Sequence, residues 1–288
     1  MQVGEYLGLW LATFVQPFRA ANTAACYRRA MNALPAAVLG CELDQLNGLQ
    51  LQAALNAQAE KHPRAAQLTF AMLHAALNKA VDLGMLTRSP LNGCIKPQHT
   101  ARRAAVLSVE QLAQYIAAAR TQPAYPLLLL MATCGLRRSE ALGLMWQDIA
   151  GDQIHVTRQR IRINRVYQPA PLKSAAAKRI LPLAAPIGKE LAAVRVRSLA
   201  GWVCDISPET LRKQHMHALH AAQLPPVTLH GLRHSMATAA AADGCPIKIL
   251  QGILGHARYQ LTADLYANHL QPDNYAPSMA SLAAAVMR

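Results

Sequence analysis

The 288-residue sequence predicts a mainly α-helical protein carrying a small antiparallel β-sheet. Three observations lead there. Hydrophobic residues make up 52% of the chain but aromatics only 5%, and alanine, the strongest helix former, supplies much of the difference. Apolar residues recur every three to four positions through most of the chain. That period gives way once to alternation rich in β-branched residues, in "QIHVTRQRIRINRVYQ" (153–168), with "AKRILPL" (177–183) following the turn-like "PLKSAA".

In chain order, "YLGLWLATFV" (6–15), "TAACYRRAMNAL" (23–34), "LNGLQLQAALNAQAE" (46–60) and "AAQLTFAMLHAALNKAVDLG" (65–84) read as helices. Asn22 or Thr23 is the expected cap of the second, and Gly84 ends the fourth. The polar, basic stretch "KPQHTARRAA" (96–105) reads as a linker, which divides the chain into a helical domain over 1–97, a connector over 98–105 and a second domain over 106–272. Ser108 with Gln111 forms a capping box that starts the second domain. Two helices follow, "SVEQLAQYIAAAR" and "YPLLLLMATCG", then the β-rich stretch, with Lys173 expected in a hairpin. From 186 the chain is helical again, broken at "LPPVTLHG" and "DGCPI". Residues 273–288 form a tail whose end, "PSMASLAAAVMR", carries an apolar stripe but is too short to hold a helix unaided in water.

The charge narrows the function. Lys and Arg number 29 against 15 Asp and Glu, a net +14, and from Arg158 to Arg197 there are ten basic residues and one acid, Glu190. Such a stripe suits a polyanion, and no basic amphipathic helix with bulky apolar residues argues for a membrane surface. Arg158, Arg160, Arg162, Arg165, Lys178 and Arg179 are the expected DNA contacts. The six scattered cysteines fit reduced thiols. "HMHALH" (215–220) lacks the carboxylate or cysteine that would complete a metal shell and reads as a solvated or DNA-facing helix. Neither a metal nor a cofactor is expected. The N-terminus has no signal-peptide pattern, and the run at 126–135 is too short to span a bilayer, so a cytoplasmic, nucleoid-associated protein is expected.

Four separated motifs carry candidate chemistry: "TCGLRRSE" (133–140), "LKSAAAKRILPL" (172–183), "HGLRHS" (230–235), and "LGH" (254–256) with Thr262 and Tyr266. Singly, each has an ordinary reading as solvated helix or hairpin charge. In this order they resemble the boxes of the tyrosine recombinase (phage integrase) family, over nearly the whole chain. The departures are Cys134 as an additional residue in the first box, Ser174 for the usual threonine, and Ala177 and Lys178 for a commoner pair. The ten positions from His256 to Tyr266 are common in phage-type members, where some bacterial members show nine.

The resemblance implies a helical core-binding (SAM-like) N-terminal domain and a mixed α/β catalytic domain. It implies a site-specific recombinase that cuts and rejoins DNA through a 3′-phosphotyrosine link, integrating or excising a mobile element. Tyr266 is then the nucleophile, with Tyr259 too early for the pattern. Two guanidiniums, Arg137 and Arg233, suit the anionic phosphate because each presents a permanently charged planar fork. His230 and His256 add donors, and Lys173 protonates the leaving 5′ oxygen. Glu140 either steadies Arg137 or is a helix-start carboxylate favoured by the helix dipole. The expected partners are double-stranded DNA with core-type sites and further copies of the chain: a homo-tetramer in the synapse, a monomer or dimer off DNA. The tail either packs on its own domain or, as the family implies, docks on a neighbouring protomer. A topoisomerase-like nicking-closing enzyme and a catalytically dead DNA-binding descendant are the alternatives.

Overall fold

Among the described residues, alanine-rich sequence with three- and four-residue apolar spacing folds into twelve α-helices, with five short strands confined to one region. The structure, a computed structural model, describes residues 1–99, 105–163, 166–195, 201–257, 259–260 and 262–263. The chain divides into two compact units, Met1–Arg102 and Arg103–Arg288, each with its own hydrophobic core.

The first unit contains α1 (Val3–Trp10), continued by a π-helical turn (Leu11–Val15), α2 (Ala21–Asn32), α3 (Ala36–Leu39), α4 (Gly48–Lys61) and α5 (Pro63–Asp82). Helix α2 begins at Ala21 with no side-chain cap, so neither Asn22 nor Thr23 caps it. The short α3 carries too few residues to show a period and was not foreseen. Helix α5 buries Ala66, Thr69, Leu73, Ala76, Leu77 and Ala80 on one face. This face meets α4 and α2, and the buried Tyr6 hydroxyl donates to the Ala76 carbonyl at 2.6 Å.

The second unit starts at α6 (Val109–Ala119). Ser108 Oγ accepts from the Gln111 amide at 3.2 Å, and the Gln111 side chain accepts from the Ser108 amide at 2.9 Å, as a capping box requires. Helix α7 (Tyr125–Thr133) is apolar on every side and buried from Tyr125 to Ala132, which makes it the central rod of this core. Then come α8 (Arg138–Leu142), a 3₁₀ turn (Trp146–Asp148), β1 (Ile149–Ala150), β2 (Gln153–Val156), β3 (Gln159–Ile163), β4 (Val166–Ala170) and β5 (Arg179–Pro182). Helices α9 (Ala185–Ala193), α10 (Pro208–Ala221), α11 (Leu229–Ala242) and α12 (Ile247–Leu254) complete the described part.

The β region departs from the single sheet expected. The alternating stretch breaks at Thr157–Arg158 into β2, which sits in a β1-β2-β5 sheet, and β3, which pairs only with β4. Both sheets are antiparallel. Lys173 therefore lies on the link from the β3–β4 hairpin to β5 rather than at a hairpin tip. "HMHALH" also divides: His217 and His220 are exposed, whereas His215 is a core residue. Its ring meets the Tyr115 hydroxyl at 2.8 Å through Nδ1 and the Val227 carbonyl at 2.8 Å through Nε2. Since Nε2 must donate to that carbonyl, Nδ1 accepts from Tyr115 and the ring is neutral. No described helix is long and apolar enough to cross a membrane. Tail residues 273–288 lie outside the described residues.

Candidate active site

The last carbonyls of a helix have no partner within it and attract donors, cations above all. At the end of α12, three arginines from three elements take three successive carbonyls. Arg179 on β5 donates from Nε to the Ile253 carbonyl at 2.7 Å. Arg233 on α11 donates from Nη2 to the Leu254 carbonyl. Arg137, at the N-cap of α8, donates from Nη2 to the Gly255 carbonyl at 2.8 Å. Arg233 also donates to the Gly135 carbonyl at 2.6 Å, which joins the ends of α7 and α12 around one guanidinium.

Both glycines in this frame have positive φ, 63° at Gly135 and 59° at Gly255, a region costly for residues with a side chain. Neighbouring atoms crowd a side chain at both positions as well. A Cβ on Gly135 would fall 2.1 Å from the Met236 methyl, and one on Gly255 would sit 3.0 Å from the Ala176 carbonyl oxygen.

One carboxylate serves this group. Glu140 is 2% exposed; its oxygens accept from Arg137 Nη1 at 2.6 Å, Arg179 Nη2 at 3.0 Å and the Arg137 amide at 2.9 Å. Burial alone would push this carboxyl up, but the Arg179 guanidinium, followed by the Arg137 amide and side chain, holds it below the usual carboxylate range. Three guanidiniums against one carboxylate leave an uncompensated positive charge, which favours an anion. Burial, then the neighbouring Arg137 charge, lowers the Arg233 pKa; an arginine starts high enough to stay charged at neutral pH. Each fork has five N–H donors, so Arg137 and Arg233 keep donors in reserve for a ligand.

The histidines surround the same frame. His230 opens α11 one turn before Arg233, and its ring meets His234 edge-on with centroids 4.4 Å apart. Partial desolvation, then the charges of His234, Arg233 and Arg137, lowers the His230 pKa. His256 directly follows Gly255, and its Nδ1 lies 3.0 Å from the hydroxyl of the buried Thr262. A neutral ring accepting from Thr262 carries its proton on Nε2, ready to donate outward. Burial, then the Arg233 and Arg137 charges, pushes the His256 pKa down to about 4.

Lys173 is exposed, and it shares a cleft of about 160 Å³ with Arg137, Glu140 and Ser174. A wider cavity, about 580 Å³, runs from Arg137 past Arg138, Arg212 and Thr228 to His230. Arg137, Arg233 and Glu140 thus meet through bonded contacts along the end of α12, with His256 next in the chain after Gly255 and Lys173 and His230 on the two cavities that Arg137 lines. Tyr266 lies outside the described residues. Tyr259 is 47% exposed, with the Lys248 ammonium 5.2 Å from its ring centre.

The basic stripe is less free than its composition suggests. Arg158 pairs with Asp148, and Arg160 pairs with Asp205 at 2.6 Å while lying over the Trp202 ring. Arg179, expected on the DNA surface, has a side chain only 7% exposed, and its fork is turned inward. Arg162 stacks on Tyr167 and is exposed, as is Lys178. Arg165 lies outside the described residues. His234 and the inward-turned Arg179 join the site without being assigned to it by the sequence motifs. His234 was within reach, four positions after His230 on a helix, whereas nothing local to Arg179 signals partners 39 and 74 positions away.

Residues 105–272 match the model of the phage integrase family. The chain belongs to that family. Membership makes it an enzyme, a site-specific DNA recombinase. A tyrosine recombinase XerC-like protein of Caldanaerobacter subterraneus subsp. tengcongensis is 24% identical, over 92% of this chain and 79% of its own length. Among solved structures, the Tn1549 transposon integrase in complex with circular intermediate DNA superposes with a TM-score of 0.80 at 19% identity, covering 97% of this chain and 99% of that one. A lambda integrase tetramer bound to a Holliday junction gives 0.67 at 18% identity, over 90% and 78%. At these identities the two structures share the fold of this phage integrase family member.

Proposed function

We propose that this recombinase integrates or excises a mobile element by tyrosine-mediated transesterification at core-type sites in duplex DNA. The observation that carries this reading is the arginine frame at the end of α12, where Arg137 and Arg233 flank an uncompensated positive charge. A phosphodiester gains charge on its nonbridging oxygens as it is attacked, and donors fixed in advance stabilise that charge without reorganising. In this reading Arg137 and Arg233 hold those oxygens and His230 and His256 donate to them.

Tyr266 attacks phosphorus. A phenol with a pKa of about 10 needs its phenolate favoured, which adjacent guanidiniums do. The P–O5′ bond breaks, the Lys173 ammonium gives its proton to the departing oxygen, and the DNA is held as a 3′-phosphotyrosine ester. Attack by another strand's 5′-hydroxyl reverses these steps without ATP.

The helical first unit would bind the same duplex, and four copies would form the synapse. Tail residues 273–288 would dock on a neighbouring protomer and couple adjacent sites. The Tn1549 integrase complex with circular intermediate DNA and the lambda integrase tetramer on a Holliday junction support the mobile-element and four-subunit parts of this reading. Incubating the protein with two labelled duplexes bearing its core site tests it. Recombinant products are expected. Relaxation of supercoiled DNA with no exchange between duplexes would mark a nicking-closing enzyme instead.

A further inference from the structure

Arg179 enters no step above, yet it is the most fully engaged guanidinium in the site. Nε donates to the Ile253 carbonyl at 2.7 Å, Nη1 to the Ala177 carbonyl at 2.9 Å and Nη2 to Glu140 at 3.0 Å. These acceptors lie on three different segments. Ile253 lies in the last turn of α12, two residues before the Gly255 carbonyl that holds Arg137. Ala177 closes the turn that follows Lys173. Glu140 binds Arg137 directly.

The turn and the helix end are packed tightly where Arg179 joins them. A Cβ placed on Gly255 would lie 3.0 Å from the Ala176 oxygen, 3.1 Å from Arg179 Nη1 and 3.2 Å from the Ala177 Cα. Only a planar fork can satisfy three acceptors in these directions; a lysine ammonium is a single point of charge on a flexible stem. Among the described residues the exposed Lys173 has no such anchor of its own, and it lies four residues before Ala177 on the link between the two sheets.

We infer that Arg179 is a positioning residue for leaving-group protonation: it fixes the Lys173-bearing turn against the end of α12, and so sets the ammonium relative to the phosphate clamp. The inference rests on the proposed transesterification. In that step the phenolate oxygen bonds to phosphorus, the P–O5′ bond breaks, and a proton passes from the Lys173 ammonium to O5′, leaving a neutral amine and a 5′-hydroxyl. A 5′-bridging sulfur substrate removes the need for this proton, because a thiolate is a far better leaving group than an alkoxide. Misplacing a catalytic group by about 1 Å can slow a reaction on the order of a hundredfold.

The test is single-turnover cleavage of oxygen and sulfur substrates by the full-length protein, comparing wild type, Lys173→Ala, Arg179→Ala and Arg179→Lys. Arg179→Ala should slow oxygen cleavage on the order of a hundredfold and recover most of that loss on sulfur, as Lys173→Ala does. Arg179→Lys should show the same recovery from a smaller defect. The ratio of the two rates is the readout, since partial unfolding lowers both rates equally and leaves the ratio unchanged. If Lys173→Ala is rescued but neither Arg179 variant is, Arg179 serves fold or phosphate clamp alone and the inference is overturned. If Lys173→Ala itself is not rescued, the general-acid assignment falls first and takes this inference with it.

Discussion

From the N-cap position of α8, Arg137 does two things at once: it binds Glu140 and holds the Gly255 carbonyl. In the proposed transesterification its replacement by alanine removes a preorganised donor from the phosphate, and it leaves Glu140 with Arg179 as its remaining side-chain ion-pair partner among the described residues. Loss of one such donor costs about 2.7–4 kcal/mol in the transition state, so Arg137→Ala should cut single-turnover cleavage on the order of 10²–10³-fold. DNA affinity should change much less, which a binding titration would check. The histidines predict a pH effect. His215, His230, His234 and His256 all have folded pKa values below their ordinary value of about 6.5. The unfolded chain therefore binds more protons as pH falls through that value, and folding stability drops with it. Scanning calorimetry should show Tm falling from about pH 7.5 to about pH 5.5, and a flat profile would contradict these environments.

Among the elements, α12 has the most to reveal, because the glycine within it and the glycine that follows its last residue should respond in opposite directions. Gly252 lies within the helix, and an added Cβ meets nothing within 4 Å. Gly252→Ala should raise stability by about 0.5–1 kcal/mol through helix propensity. Gly255→Ala forces a side chain into left-handed backbone, at about 1–2 kcal/mol, and presses on the Lys173 turn. It should lower both Tm and cleavage. Denaturant melts of the two variants would test the pair. Element by element, the sequence was most informative where the physics is local. The Ser108–Gln111 box and the Gly84 stop depend on residues a few positions apart, and the periodicity of α5 depends only on its own face. The arginine frame was not legible. Arg137 meets Gly255 across 118 positions and Arg233 meets Gly135 across 98. His215 reads as a surface histidine because its partner Tyr115 lies 100 positions away. The break between β2 and β3 escaped notice because alternation continues through Thr157 and Arg158 while the pairing partner changes.

At the scale of the whole molecule, a net charge of +14 fits a DNA-binding protein, but a count of basic residues overstates the contacts. Arg158 and Arg179 are paired with buried acids and Arg160 with the exposed Asp205, whereas Arg162 and Lys178 are exposed. Each neutralised phosphate contributes about 0.9 to the log–log dependence of affinity on salt. Arg162→Ala and Lys178→Ala should each lower that slope by about one unit, while Arg158→Ala should weaken stability and leave the slope nearly unchanged. A reduced slope in Arg158→Ala would mean that the Asp148 pair opens to DNA.

In the proposed reaction a phosphodiester held by the arginine frame is attacked by Tyr266. Trapping the covalent product on a nicked suicide substrate, digesting it and locating the DNA-linked residue by peptide mass spectrometry tests this attack most directly. The link is expected on Tyr266, and is lost in Tyr266→Phe with DNA binding retained. A link on Tyr259 that persists in Tyr266→Phe would contradict this reading.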